Sequence, residues 1–208
     1  MGLPNQLTVL RMILTPLLVY LLSRESLNFR CYALVVFLVA SLTDWYDGYV
    51  ARKWGIVTQW GQFLDPLADK ILVLTMFCVF VWLGVVKTWM VVVIAARDII
   101  MTLLRLYGDW KRQPVVTSMS AKWKTVGQMT AIYVILLYLV IQAYTLATGI
   151  SPVWLHWLQA SQALDKMMLV VTGITLATGI QYMVENWRLV RHLIFACFRV
   201  FDPGNLAK

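Results

Sequence analysis

Six runs of predominantly apolar residues, each close to the length of a membrane-crossing helix, constrain this chain more than any other feature. They fall at roughly 6–22, 29–50, 64–86, 89–107, 123–147 and 162–183. A hydrocarbon core about 30 Å thick is crossed by about 20 residues of α-helix, and only helices or closed barrels satisfy their backbone polar groups there. Hydrophobic residues make up 61% of the 208 and charged residues 13%, against about 25% charged in soluble domains. A water-soluble globule of this size cannot bury so much apolar surface. The expectation is an all-α polytopic membrane protein: six transmembrane helices in residues 1–185, then a membrane-surface amphipathic helix and tail in 186–208.

The formal net charge is +8, but the basic residues sit between the apolar runs. That placement suits anionic headgroups and phosphorylated substrates, not nucleic acid. Arg52, Lys53, Lys111, Arg112, Lys122, Lys124, Arg188, Arg191, Arg199 and Lys208 fall on one side of the expected bundle, and Arg24, Arg30, Lys87 and Lys166 on the other. The richer side is expected to be cytoplasmic, which puts both termini on the inner side of a cell membrane. Cys31, Cys78 and Cys197 are odd in number and widely spaced, so they are expected to be small core residues with no disulfide framework. Beyond the last run, Arg188, His192 and Arg199 recur on one side of a helix over 186–201, while Leu189, Leu193 and Phe195 supply apolar bulk. His156, in the connection before the last run, and His192 read as structural. The pentapeptide Leu-Ala-Thr-Gly-Ile occurs at 146–150 and again at 176–180, with no repeat of useful length around it.

Four of the ten acidic residues crowd into positions 44 to 69. Asp44 lies about 12 Å along a helix from Arg52, within membrane depth. An ionised carboxylate there costs at least ~2.5 kcal/mol. At about 100° per residue, Asp44, Gly48 and Ala51 form one stripe with Asp47 beside it, and Gly61, Asp65 and Asp69 form a second stripe on the next helix. The short connection between the two runs folds them antiparallel, so the stripes can converge. Two carboxylates ~4 Å apart repel by about 4 kcal/mol at an effective dielectric of about 20, so the cluster calls for protons or cations. Oxygen donors without Cys or His favour Mg²⁺, Mn²⁺ or Ca²⁺. Gly48 and Ala51 leave room above the site, and the Arg52 guanidinium beside it suits a phosphate.

Taken together, Asp44-x2-Asp47-Gly48-x2-Ala51-Arg52-x8-Gly61-x3-Asp65-x3-Asp69 resembles the full signature of the CDP-alcohol phosphatidyltransferases, with no position departing. The opening Pro4-Asn5-x-Leu7-Thr8-x2-Arg11, the stretch Ala96-Arg97-Asp98-Ile99-Ile100 with Arg105, and Lys122-x-Lys124-Thr125 with Gln128 are similar to the phosphatidylglycerophosphate synthase branch of that family. The resemblance covers about the first two-thirds of the chain. It implies transfer of a phosphatidyl group from CDP-diacylglycerol to an alcohol, with release of CMP. By the same resemblance Asp44, Asp47, Asp65 and Asp69 would hold two divalent ions, Mg²⁺ or Mn²⁺, on the substrate's diphosphate. Asp69 would take the proton of the acceptor hydroxyl as general base. Gly48, Ala51, Arg52 and Gly61 would border the nucleotide and its diphosphate, with Asn5, Thr8 and Arg11 reaching the nucleotide or the carboxylates. A homodimer is also implied.

The acceptor is read from the remaining cations. Arg97, Arg105, Lys122 and Lys124 gather on the expected cytoplasmic side, and Arg97 and Arg105 are eight residues apart on nearly one face. They are expected to bind an acceptor's phosphate, and glycerol 3-phosphate is the branch-matched acceptor. Asp98 is expected to be the partner of Arg97 or to orient other groups. Other acceptors for the same chemistry are phosphatidylglycerol, an inositol phosphate and serine. A divalent-cation transporter would also use intramembrane aspartates, but the far halves of these runs show no polar path.

Overall fold

The protein is described here from a computed structural model that covers residues 3–54, 59–110, 120–150, 152–187 and 189–191. Side chains are described for 10–43, 70–108, 124–150, 152, 153, 155, 158–187 and 189–191. Within these residues the structure is helical, in the order α1 (Leu3–Leu22), α2 (Leu27–Trp54), α3 (Gln59–Trp82), α4 (Thr88–Trp110), α5 (Ser120–Thr148), α6 (Val153–Ala160) and α7 (Ala163–Glu185). Each apolar run of the sequence lies in one long helix. The short α6 is an addition, because its eight residues lie in the stretch read as an outward connection.

Packing closes the six long helices into a ring. α1 packs on both α2 and α3, α2 on α5, α5 on α7, α7 on α4, and α4 back on α3. α6 lies against α7. Short connections make sequential helices antiparallel, so one end of the ring collects the start of α1, the end of α2, the start of α3, the end of α4, the start of α5 and the end of α7. This is the motif end, since residues 44–69 fall there. The turns at 23–26 and 83–87 mark the far end.

Large side chains fill the far half of the ring. Leu18, Leu22, Phe37, Phe77, Phe80, Ile132, Ile135 and Met168 are fully buried there. Phe37 meets Tyr133 edge to face at 5.1 Å, joining α2 to α5. A smaller cluster of Met101, Leu104, Tyr182, Leu189 and Val190 closes α4 against α7 at the motif end. The outer surface is apolar on all sides: Ile13, Val35, Trp82, Val92, Leu103 and Val170 are each more than half exposed. A soluble monomer rarely shows so much contiguous apolar surface. Hydroxyls inside the helices turn back onto their own backbone, as Thr15 does to the Arg11 carbonyl at 2.8 Å and Thr175 to the Val171 carbonyl at 2.7 Å. In an apolar solvent that removes the cost of an unmet donor.

Two described helical segments, Lys124–Thr148 and Ala163–Glu185, are long and apolar enough to cross a membrane; Leu10–Leu22, Leu27–Thr43 and Lys70–Trp82 are shorter apolar segments. The chain turns out of α3 at Gly84, whose φ of 72° lies in the left-handed region. There the Val85 and Val86 amides both donate to the Phe80 carbonyl, capping the helix end.

Two expectations change in detail. Cys78 is exposed and Cys31 half-buried, so neither is a core residue; both lie on α-helical faces turned partly away from the ring's interior, where lipid-facing thiols are tolerated. Beyond α7, Leu189 and Val190 are buried against α4 and α7 and do not form a free surface face. Arg188, His192, Arg199, Cys197, Lys111 and Arg112 lie outside the described residues.

Candidate functional site

The topology puts the motif residues of α2 and α3 at one end of the ring. Asp44, Asp47, Gly48, Ala51 and Arg52 lie in the last three turns of α2, and Gly61, Asp65 and Asp69 in the first three of α3. Four residues, 55–58, join Trp54 to Gln59, so the two helix ends are within about 18 Å of each other. Asn5, Thr8 and Arg11 occupy α1, which packs between these helices. The side chains of the aspartates, of Asn5, Thr8, Arg52 and Lys122 lie outside the described side chains. Arg11 is described and is buried, at 4% exposure. Among the described residues no group of three or more metal-ligating side chains occurs. The stretch 44–69 carries carboxylates and neither Cys nor His, a donor set that suits hard divalent cations.

One residue past Asp69 the described side chains begin, and they form a buried polar cluster around Asp98. Asp98 is 3% exposed in the middle of an apolar helix. Its Oδ1 accepts from Arg97 Nη1 at 3.2 Å and from the Lys124 ammonium, which ties α4 to α5. Arg97 Nη2 donates to Thr178 Oγ1 at 3.3 Å, which ties α4 to α7. Lys70 donates to Thr102 Oγ1, and that hydroxyl donates in turn to the Asp98 carbonyl at 2.6 Å, tying α3 to α4. Four helices are thus cross-linked by one carboxylate and its neighbours. A buried carboxylate is expensive, and the two cations on one oxygen offset that cost.

The cluster carries more positive than negative charge. Arg97 and Lys124 share Asp98, which leaves a net charge of one, and Lys70 adds a further cation at the same level. Two donors there have no acceptor among the described residues: Arg97 Nε and Gln128 Nε2, both buried. Gln128 is one helical turn from Lys124 and is 3% exposed. Among the described residues, this surplus charge and these unmet buried donors are suited to an oxyanion.

Arg97 and Asp98, adjacent in sequence, are bonded to each other, and Lys124 reaches the same carboxylate. Arg105 does not join them, because the eight-residue spacing rotates it by about 80° and it stays exposed. Lys70, one residue past Asp69, bonds to Thr102 on α4. Thr178 and Gly179 carried no sequence signal beyond being small and polar in an apolar helix. A Cβ built on Gly179 would come to 2.9 Å of Arg97 Cγ, so the glycine makes the room in which Arg97 lies.

Between α3 and α4, below this cluster, an apolar cleft of about 500 Å³ runs from Lys70, Asp98 and Thr102 along Leu74, Cys78 and Leu103. It joins the polar cluster to the lipid-facing surface.

The model of the CDP-alcohol phosphatidyltransferase family matches residues 1–164 of the chain. A Bacillus subtilis (strain 168) protein named CDP-diacylglycerol–glycerol-3-phosphate 3-phosphatidyltransferase is 31% identical over 203 residues, covering 91% of this chain and 97% of its own. Relatives of the same name from Haemophilus influenzae and Salmonella choleraesuis are 35% identical over 144 residues and 37% over 139. Each covers 63% of this chain, and the matched regions make up 73% and 74% of those relatives.

Proposed function

Because this chain belongs to the CDP-alcohol phosphatidyltransferase family and is an enzyme of that kind, we propose that it transfers the phosphatidyl group of CDP-diacylglycerol to glycerol 3-phosphate. The products are phosphatidylglycerophosphate and CMP. The names of the relatives support both substrates. The observation that carries the acceptor is the buried cation cluster with its two unmet donors, Arg97 Nε and Gln128 Nε2, at the motif end. A phosphate monoester supplies the acceptors and the net negative charge that those groups lack; zwitterionic serine brings an ammonium with its carboxylate, and a bare alcohol brings no charge.

In this reading an acceptor hydroxyl oxygen of glycerol 3-phosphate forms a bond to the lipid-bearing phosphorus. The bond from that phosphorus to the CMP oxygen breaks, and CMP leaves with the electron pair. Asp69 takes the hydroxyl proton as general base, a role worth typically about 10²–10⁴-fold in rate. Arg97 and Lys124, held by Asp98, orient the acceptor's phosphate, with Arg105 and Lys122 at its approach. Gly48, Ala51, Arg52 and Gly61 border the nucleotide diphosphate, with Asn5, Thr8 and Arg11 beside it. The family is in general dependent on divalent metals, and Asp44, Asp47, Asp65 and Asp69 form a donor set suited to two Mg²⁺ or Mn²⁺ ions, which supply charge neutralisation on the diphosphate when bound. The α3–α4 cleft takes an acyl chain of the lipid substrate.

The same reading makes the protein a homodimer with six membrane spans, both termini and the reacting groups facing the cytoplasm. An acceptor panel tests the substrate assignment. Labelled glycerol 3-phosphate should be incorporated into lipid, while serine, inositol phosphate and phosphatidylglycerol should not. Turnover with serine and none with glycerol 3-phosphate would refute it.

A further inference from the structure

The far end of the ring holds a second polar site that the phosphatidyl transfer does not use. The turns after α1 and α3 and the start of α7 meet over the last turns of α5 and enclose a cavity of about 540 Å³. Arg30, which lines it, is 14 residues from Asp44 on the same helix, about 21 Å along its axis. The two sites are therefore at opposite ends of the bundle.

Four charged side chains line the cavity: Glu25, Arg30, Lys87 and Asp165. Two of them satisfy each other, since Lys87 Nζ is 3.0 Å from Asp165 Oδ2. The other two do not. Arg30 is 6% exposed, and its Nη1 is buried with no hydrogen-bond partner among the described residues. No ion pair among the described residues joins it to Glu25, which stands exposed at the rim. The nearest counter-charge acting on Arg30 is the exposed Glu25 carboxylate, which makes no hydrogen bond to the buried Nη1, so the site is poised for an oxyanion placed directly on that group. A multiply charged soluble anion would meet Glu25 as well, and a simple cation would meet Arg30. A ligand with an anionic and a cationic group of its own answers both. Leu83, Leu139 and Leu146 line the wall with Gln142, so apolar surface adjoins the charges.

We propose that this cavity binds the headgroup of a zwitterionic phospholipid, an ammonium-bearing phosphodiester, with its phosphate on the Arg30 guanidinium and its ammonium facing Glu25. The phosphate is the group held most deeply, because Arg30 is the buried member of the pair. Glu25 sets the preference among headgroups. The proposal is independent of the phosphatidyl-transfer reading, since none of its residues lies at the motif end.

The test uses full-length protein in detergent, with thermal unfolding and native mass spectrometry as readouts. The probes are phosphatidylethanolamine, phosphatidylglycerol and soluble O-phosphoethanolamine. Wild type should bind phosphatidylethanolamine at least ten-fold more tightly than phosphatidylglycerol. Arg30→Gln should weaken phosphatidylethanolamine binding at least ten-fold, about 1.4 kcal/mol, and should unfold no more readily than wild type without lipid. Glu25→Gln, a change at an exposed position, should keep binding but lose the preference over phosphatidylglycerol. Stabilisation by O-phosphoethanolamine to the same extent would assign a soluble ligand of the same chemistry; stabilisation by the lipid alone assigns the membrane headgroup. CMP release by both variants should match wild type. Equal binding of the two lipids by wild type, or unchanged phosphatidylethanolamine binding by Arg30→Gln, would overturn the proposal.

Discussion

Replacing Asp98 by asparagine tests the polar cluster that joins α3, α4, α5 and α7. The carboxylate accepts from Arg97 at 3.2 Å and from Lys124, and is itself 3% exposed. A unit charge pair at about 4 Å is worth about 4 kcal/mol at an effective dielectric of about 20. Removing one partner of a buried pair typically costs about 3–5 kcal/mol, because the other charge stays buried. The amide oxygen still accepts one hydrogen bond, so Asp98→Asn should fall at the low end, about 3 kcal/mol. For a chain of this length that lowers the unfolding temperature by about 6–12 °C. The same logic predicts partial rescue. Adding Lys124→Met removes one of the two stranded cations and should recover about 1.5–3 kcal/mol relative to additivity. Tryptophan fluorescence during heating, in one detergent for all variants, completes the double-mutant cycle. Asp98→Asn melting within 2 °C of wild type (about 0.5–1 kcal/mol), or a double variant showing the plain sum of the singles, would refute the reasoning.

Other outcomes follow from the same contacts. Gly179→Ala places a Cβ 2.9 Å from Arg97 Cγ, so Arg97 must shift; the KM for glycerol 3-phosphate should rise several-fold while that for CDP-diacylglycerol stays, as steady-state kinetics will show. Gln128→Leu removes a buried donor with no partner among the described residues and should leave the melting temperature unchanged or raised, by up to about 1 kcal/mol, yet raise the same KM. Leu74→Trp fills part of the α3–α4 cleft and should depress turnover of long-chain CDP-diacylglycerol more than of a short-chain analogue. Chelation should stop CMP release, and Mg²⁺ or Mn²⁺ should restore it.

The helices were legible because apolar runs of membrane length leave few alternatives, and the motif was legible because four aspartates in such runs have no cheap structural use. The ring order was not, since sequence neighbours need not be packing neighbours: α4 contacts α7 and α5 contacts α2. α6 escaped notice because eight residues rich in Trp and His carry too little periodicity to register as a helix. Arg97, Asp98 and Lys124 stood out as charges inside apolar segments, but what they touch depends on rotation about helix axes. Lys70 shows the limit. Its place beside Asp69 in the sequence says nothing of its bond to Thr102 on the next helix. The repeated pentapeptide makes the same point. Gly149 sits at φ 72° where α5 ends, whereas Gly179 sits inside α7 and clears space for Arg97. The same five letters serve a stop in one helix and a cradle in the other.

Formation of phosphatidylglycerophosphate from CDP-diacylglycerol and labelled glycerol 3-phosphate, measured beside CMP release on wild type and Asp69→Asn, tests the central claim most directly. The account predicts one lipid product per CMP for wild type with divalent metal, and for the folded variant a rate lower by about 10² or more. Label reaching lipid at the wild-type rate in the variant, or CMP-free wild-type reactions with every acceptor, would contradict it.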